Sequence, residues 1–154
     1  MNVRFATIRD TEGLINLRIE YLRTQGLMPD DEAVIRNQLA RYIPESLGKS
    51  LFCAVAQDGE SYIASAMLVI KEKPGGIAFL NGITGEILSV YTHSAYRRKG
   101  IATKMLGLLL EKAKEEGACL VDLLATNDGY PLYRQLGFEP RGNDYTPMRL
   151  ILKK

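Results

Sequence analysis

Several features that would point to other classes of protein are missing from this 154-residue chain. It has no tryptophan, one histidine and two cysteines, and so few metal ligands argue against a catalytic metal site. No apolar run approaches the roughly 20 residues needed to cross a bilayer, and the N-terminus lacks the apolar core of a signal peptide. The net charge of +2, with no Lys/Arg run longer than 97–99, argues against nucleic acid as a partner. We therefore expect a cytoplasmic protein that binds neither membranes nor nucleic acid.

The composition is that of an ordinary globular domain. Hydrophobic residues make up 46% and charged residues 25% of the chain, and its length suits a single domain over residues 1–154. Cys53 and Cys119 both lie in apolar runs, which predicts two buried free thiols in a reducing compartment.

Alternating strand and helix patterns predict an α/β fold. Helical periodicity with capping residues predicts helices at 11–24, 29–43, 98–116 and 129–136. Short apolar runs bounded by turn residues predict strands at 3–8, 51–56, 62–71, 86–91, 118–125, 138–141 and 148–152. Asp58-Gly59 suits the tight turn of a hairpin between the second and third strands. This order predicts a mixed sheet flanked by about four helices.

The most informative stretch is a basic turn between a strand and a helix. The apolar strand at 86–91 is followed by Tyr96-Arg97-Arg98-Lys99-Gly100-Ile101-Ala102-Thr103, where the helix begins. The first turn of a helix carries unpaired N–H groups and the positive end of the helix dipole, so it binds phosphate readily. Gly100 would let the backbone approach such a ligand closely. The turn therefore predicts a phosphorylated ligand.

Two common phosphate loops do not fit this turn, because neither Gly-x-x-x-x-Gly-Lys-Ser/Thr nor Gly-x-Gly-x-x-Gly occurs in the chain. Arg97-x-x-Gly100-x-Ala102 instead resembles the acyl-CoA pyrophosphate loop of the GNAT superfamily of N-acetyltransferases. The segment from Leu132-Tyr133 to Gly137-Phe138 resembles a second signature of that family, and the opening strand and helix resemble its start. The resemblance covers essentially the whole chain, closely over 85–138 and loosely over 27–84.

The resemblance implies a fold and a co-substrate. The sheet would be mixed and mostly antiparallel, with a splayed central pair of parallel strands at 86–92 and 118–125. Acetyl-CoA would lie in the splay, its pantetheine arm paired with the backbone of Val90, Tyr91 and Thr92 like an added strand. The Val90 N–H would stabilise the oxyanion. The pyrophosphate would lie on the basic turn and helix start, formed by Arg97, Arg98, Lys99, Gly100, Ile101, Ala102 and Thr103.

Two side chains are candidate catalytic groups. Tyr133 occupies the family's signature position and would protonate the departing CoA thiolate; a purely structural aromatic is the alternative. Glu86 would accept the proton of the attacking amine. A carboxylate within an apolar strand is costly unless it is used or paired, so pairing with Lys71 or Arg149 and anchoring of a substrate ammonium remain open. A water chain could also replace Glu86 as the base.

The family's asparagine, seven residues before the signature tyrosine, is replaced by Thr126, and either Thr126 or the adjacent Asn127 would contact the cofactor arm. His93 and Asp122 are read as surface residues rather than acid–base groups, and Cys119 as an unlikely nucleophile because no histidine can be placed beside it.

The sequence leaves the amine acceptor unidentified. Its site is expected in the segments 11–43, 72–85 and 139–147. Acidic and tyrosine side chains that could line it, or could equally be surface and core residues, are Glu12, Glu20, Asp30, Asp31, Glu32, Tyr21, Tyr42, Tyr91 and Tyr145.

The sequence thus predicts an acetyl-CoA-dependent N-acetyltransferase that uses direct transfer to a small-molecule or peptide amine. A non-catalytic acyl-CoA-binding module and a nucleotide-binding regulatory domain are the alternatives, and dimerisation through the terminal strands is left open.

Overall fold

The computed structural model describes residues 1–142 and 144–154. The chain divides into two compact units, Met1–Leu124 and Ala125–Lys154. The first unit contains the sheet and three α-helices, and the second contains one short helix. Within this described part, no helix has the length and apolar character needed to cross a membrane.

The first unit is built on a five-stranded mixed sheet with strand order β1-β2-β3-β4-β5. Neighbouring strands are antiparallel except for β4 and β5, which are parallel. Two single-turn 3-10 helices, Ile8–Asp10 and Ser94–Tyr96, precede α1 and α3. The elements are β1 (Asn2–Phe5), α1 (Thr11–Thr24), α2 (Pro29–Ser46), β2 (Leu51–Asp58), β3 (Ser61–Glu72), β4 (Ile83–Thr92), α3 (Ile101–Glu115) and β5 (Val121–Asp122).

Helices cover the two faces of this sheet. On one face, α1 and α2 pack on β2 and β3 around a cluster that includes Leu14, Ile43 and Met67. Side chains alternate between the faces of a strand, so Phe52, next to the clustered Cys53, faces the opposite side. There it lies near Lys112 of α3, whose buried residues repeat at helical spacing. The predicted first two helices, the hairpin and this two-sided packing are confirmed.

A buried carboxylate ties the start of α1 to the sheet. Asp10 is 3% exposed and accepts two hydrogen bonds from the Arg4 guanidinium, at 2.7 and 2.9 Å. It also accepts one from the Tyr62 hydroxyl at 2.6 Å and one from the Thr7 backbone N–H at 2.7 Å. The hydrogen bonds from Arg4, then those from Tyr62 and Thr7, outweigh desolvation and hold the pKa of Asp10 well below its usual range.

The second unit contains α4 (Tyr130–Gln135). The strands predicted at 138–141 and 148–152 are wrong, because both segments are irregular. Strand formation requires a pairing partner as well as β-forming residues, and the apolar side chains of the last segment are instead exposed: Met148, Leu150, Ile151 and Leu152.

Other boundaries also differ from the prediction. β1 ends at Phe5, not at residue 8, and β5 has two residues, not eight. α3 starts at Ile101 rather than at 98, because Arg98 and Gly100 both have positive φ and cannot belong to a right-handed helix. Since the predicted terminal strands are not formed, the parallel pair lies at one edge of the described sheet rather than at its centre.

Candidate active site

The edge of β4 that faces β5 is paired over only a short length. The parallel register contains two residue pairs, Gly85–Val121 and Glu86–Asp122. β4 continues to Thr92 on its other edge, paired with β3. Among the described residues, no strand pairs with the β5 side of 87–92, so the two parallel strands part after Glu86. This is the splay predicted from the sequence, and it lies beside Val90, Tyr91 and Thr92.

A β-bulge interrupts β4 within this open stretch. The register with β3 shifts by one residue between the pairs Met67–Leu88 and Ser65–Tyr91. Ser89 has a φ of +55°, in the left-handed region that few non-glycine residues adopt. Its Oγ is buried and has no hydrogen-bond partner in the described part of the chain. A buried hydroxyl without a partner is costly, so this position is suited to a polar ligand.

The basic turn leads into a helix end that no side chain caps. Gly100 is the N-cap of α3 with a φ of +78°, and no side chain from the described residues bonds the first N–H groups of that helix. Arg97, Arg98 and Lys99 are all exposed. The Arg97 Nε donates a hydrogen bond to the Thr92 carbonyl at 2.9 Å, which holds the start of the turn against the end of β4. The predicted anion site thus has free N–H donors and three nearby cations.

Glu86 lies on the face of β4 that is covered by α1 and α2. Its side chain lies on the same side of the strand as that of Leu88, two residues away, and Leu88 packs against the core cluster on that face. The carboxylate is 40% exposed, and its Oε1 accepts a hydrogen bond from Lys71 Nζ at 2.8 Å. Of the two cations considered from the sequence, the structure therefore pairs Glu86 with Lys71.

Two side chains of α1, one of β4 and one of the residue after β4 form a second cluster, defined as Glu20, Tyr21, Tyr91 and His93. His93 Nε2 lies 2.6 Å from Glu20 Oε2, and both side chains are about one-third exposed, at 34% and 38%. The ring centroids of Tyr21 and Tyr91 are 6.0 Å apart, and those of Tyr91 and His93 are 5.8 Å apart with nearly perpendicular planes. The sequence had suggested that His93 is a surface residue. The structure instead brings it into contact with Glu20 and Tyr91.

Three other acidic or aromatic candidates for the acceptor site do not belong to this cluster. Glu32 bonds Arg23 at 2.7 Å and Arg36 at 3.3 Å, which joins α1 to α2. Tyr42 packs against the core cluster, and burial raises its pKa. Tyr145 lies in the second unit and is exposed. The predicted acceptor segment 139–147 includes position 143, which lies outside the described residues.

In the second unit, Tyr133 is buried in α4, and its ring packs edge-on against Phe138, with centroids 6.1 Å apart. The Thr126 hydroxyl accepts a hydrogen bond from the Gly129 N–H at 3.1 Å, which stabilises the turn before α4. Asn127 is exposed. Thr126 therefore already has a local structural role, although both side chains are exposed.

The two cysteines differ from each other. Cys53 is buried, and burial raises the pKa of its thiol to about 12. Cys119, predicted to be buried, is exposed, because β5 starts only at Val121; its thiol donates to Asn81 Oδ1 at 3.0 Å. In the described part of the chain, no group of three or more His, Cys, Asp or Glu side chains is placed to hold a metal ion.

Comparison with known proteins decides the family. The model of the acetyltransferase (GNAT) family matches residues 13–138, which is most of the chain and includes both signature segments. The chain belongs to this family. No curated protein sequence matches it.

Solved GNAT structures share the fold over nearly their full length. A predicted acetyltransferase with acetyl-CoA from Clostridium acetobutylicum superimposes with a TM-score of 0.81 at 26% identity, covering 96% of this chain and 95% of that one. A GCN5-related N-acetyltransferase from Ralstonia eutropha JMP134 gives 0.80 at 25% identity, covering 96% and 97%. Glucosamine-6-phosphate N-acetyltransferase from Arabidopsis thaliana gives 0.71 at 20% identity, covering 96% and 97%, a likeness of fold alone.

Sequence reasoning missed two features of this candidate site. Ser89 was read only as part of an apolar strand; a serine between Leu88 and Val90 signals a hydroxyl in that strand but does not signal the bulge. The contact between Glu20 and His93 joins residues 73 positions apart, so no local pattern could have revealed it.

Proposed function

We propose that this chain is an acetyl-CoA-dependent N-acetyltransferase that transfers the acetyl group to a primary amine by direct attack. One observation carries the proposal: the bulged strand β4, with its open edge, is followed through the basic turn by the uncapped N-terminus of α3. An extended thioester arm and a diphosphate, held in that order, are what acetyl-CoA presents. The presence of acetyl-CoA in the Clostridium relative supports the same co-substrate here.

The open edge supplies the contacts for the arm. Its amides would pair with the backbone of Val90, Tyr91 and Thr92, which extends the sheet by one strand. The Val90 N–H, beside the bulge, would donate to the thioester oxygen as negative charge develops on it. The buried Ser89 Oγ, which lacks a partner among the described residues, is a further hydroxyl at this point of the strand.

The basic turn supplies the contacts for the diphosphate. The N–H groups of Ile101, Ala102 and Thr103 lie in the first turn of α3, where an α-helix has no internal acceptors for them. Arg97, Arg98 and Lys99 would add positive charge, and the Thr103 hydroxyl one more donor. In the second unit, Thr126 or Asn127 would bond the arm.

Two residues would move the protons. The neutral amine, formed when the ammonium loses a proton to water, attacks the carbonyl carbon. The carbon–sulfur bond breaks, and Tyr133 protonates the leaving thiolate. Glu86 accepts the second proton, which the nitrogen loses as the amide forms, so that charge and atoms balance. Lys71 contacts only Oε1 of Glu86 among the described residues, which leaves Oε2 for this role. We place the enzyme in the cytoplasm, since both cysteines are free, as is usual in a reducing compartment.

The test is calorimetric titration of acetyl-CoA, CoA and ATP into the purified protein, followed by an amine screen that measures thiol release. We expect acetyl-CoA to bind, ATP to be silent, and Gly100→Glu to abolish binding. Binding without thiol release for any amine would favour a non-catalytic acyl-CoA module. Absence of binding to either CoA species would refute the proposal.

A further inference from the structure

Glu20 differs from Glu86 and Glu32 in what it contacts. Glu86 already holds the ammonium group of Lys71, and Glu32 holds two guanidinium groups. Among the described residues, the one ion-pair contact of Glu20 is with His93. Its ion-pair partner is therefore a histidine rather than a lysine or an arginine. A partly exposed carboxylate whose ion-pair partner is not a permanent cation is suited to bind one.

The groups beside Glu20 favour the same kind of ligand. The rings of Tyr21, Tyr91 and His93 stand at 5.8 to 6.0 Å spacings, and aromatic faces attract cations at short range. Burial, and then the charge of Glu20, raise the pKa of Tyr91, so its phenol stays neutral at physiological pH. The Nε of the nearby Arg97 donates a hydrogen bond to the Thr92 carbonyl.

The cluster also lies close to the proposed reaction centre. Tyr91 directly follows Val90, the residue whose N–H is proposed to bind the thioester oxygen. Tyr91 contacts α1 through Tyr21, so the cluster lies on the α1 face of β4, where Glu86 also lies. An amine held in the cluster would approach β4 from the same side as the proposed base.

We propose that Glu20, Tyr21, Tyr91 and His93 form a subsite for a positively charged ammonium group, and that the acceptor belongs to the class of protonated aliphatic amines. The designation of this amine as an acceptor rests on the proposed transferase function. Glu20 binds the charge, the two tyrosine rings cover it, and the Nε2–H of His93 fixes the orientation of the carboxylate.

His93 provides a direct probe, because it is the one histidine of the chain. Its imidazole Cε1–H resonance can be followed by NMR without further assignment while phenylethylamine hydrochloride is titrated into the full-length protein at constant pH. Phenylethanol, which has the same ring but no charge, is the matched ligand, and sodium chloride controls for ionic strength.

Two variants on one helix make the test specific. Glu20→Gln keeps the carbonyl oxygen but removes the charge, whereas Glu12→Gln removes a charge from an exposed position of α1 outside the cluster. We expect a saturable shift with the ammonium ligand, no such shift with the alcohol, and an affinity weakened roughly tenfold or more in Glu20→Gln. Glu12→Gln should bind as the parent protein does.

The alternative outcomes separate the two proposals. An absent shift, an equal shift with phenylethanol, or an undiminished shift in Glu20→Gln would overturn the ammonium subsite even if acetyl-CoA binds. A saturable, Glu20-dependent shift in a protein that does not bind acetyl-CoA would uphold the subsite and refute the transferase function alone.

Discussion

Substitution of Gly100 by alanine tests the anion site without disturbing the rest of the fold. Gly100 has a φ of +78°, and a Cβ placed there would meet no atom within 4 Å. The cost to folding is therefore that of a left-handed conformation alone, about 1 kcal/mol. For a chain of this length, such a loss lowers Tm by about 2–4 °C.

The effect on ligand binding should be larger than the effect on stability. The added Cβ would occupy open space beside the start of α3, where the diphosphate is proposed to lie. Loss of one close hydrogen bond to a charged oxygen weakens binding by roughly tenfold or more. Gly26→Ala is the matched control, because Gly26 also has a positive φ, of +95°, and also has open space around its Cβ position.

Circular dichroism would measure Tm, and calorimetry would measure the acetyl-CoA affinity, for both variants. Equal losses of Tm with a selective loss of affinity in Gly100→Ala are expected. If both variants bound acetyl-CoA as tightly as the parent, the ligand could not lie against the start of α3. A destabilisation above about 4 kcal/mol in Gly100→Ala would contradict the assignment of the cost to φ alone.

Three further outcomes are expected. Asp10→Asn should destabilise the protein by about 1–3 kcal/mol, because an amide replaces the carboxylate that accepts hydrogen bonds from Arg4, Tyr62 and Thr7, while Arg4 keeps its bond to Gln57. Because the folded pKa of Asp10 is depressed, the stability it provides is present above about pH 4 and is lost as pH falls below it, so the acid limb of the unfolding free energy should flatten in the variant. Ellman's reagent should modify Cys119 alone in the native protein and both thiols in denaturant, and fast labelling of Cys53 in the folded state would contradict its burial. Glu86→Gln should cost less than about 1 kcal/mol of stability, since its ion pair is exposed, yet lower kcat by about 100-fold or more; an unchanged kcat would exclude Glu86 as the base.

Much of the fold could be predicted from local patterns. Helical periodicity with an acidic first turn located α2, and Asp58-Gly59 located the hairpin, because both signals act over a few residues. The terminal strands at 138–141 and 148–152 could not be judged in this way. Their apolar residues have strand character, but strand formation depends on a partner elsewhere in the chain.

The candidate site likewise contains features that local sequence patterns could predict and features that they could not. The basic turn and Gly100 were predictable, because a glycine between a basic run and a helix start has a local conformational meaning. The bulge at Ser89 was not, since serine has no preference for a positive φ that would reveal it. The start of α3 was misplaced because arginine likewise gives no sign that Arg98 adopts a left-handed conformation.

The bulge in β4 shifts the alternation of its side chains by one residue. Before it, the even-numbered Glu86 and Leu88 face α1; after it, the odd-numbered Tyr91 and His93 do. Deletion of Ser89 would remove the bulge and leave Tyr91 on the α1 face, because Tyr91 would then stand two positions after Leu88. If the strand kept its length but paired without the bulge, regular alternation would turn Tyr91 and His93 to the opposite side of the sheet. This aromatic wall therefore depends on the one extra residue in β4 as much as on its own side chains.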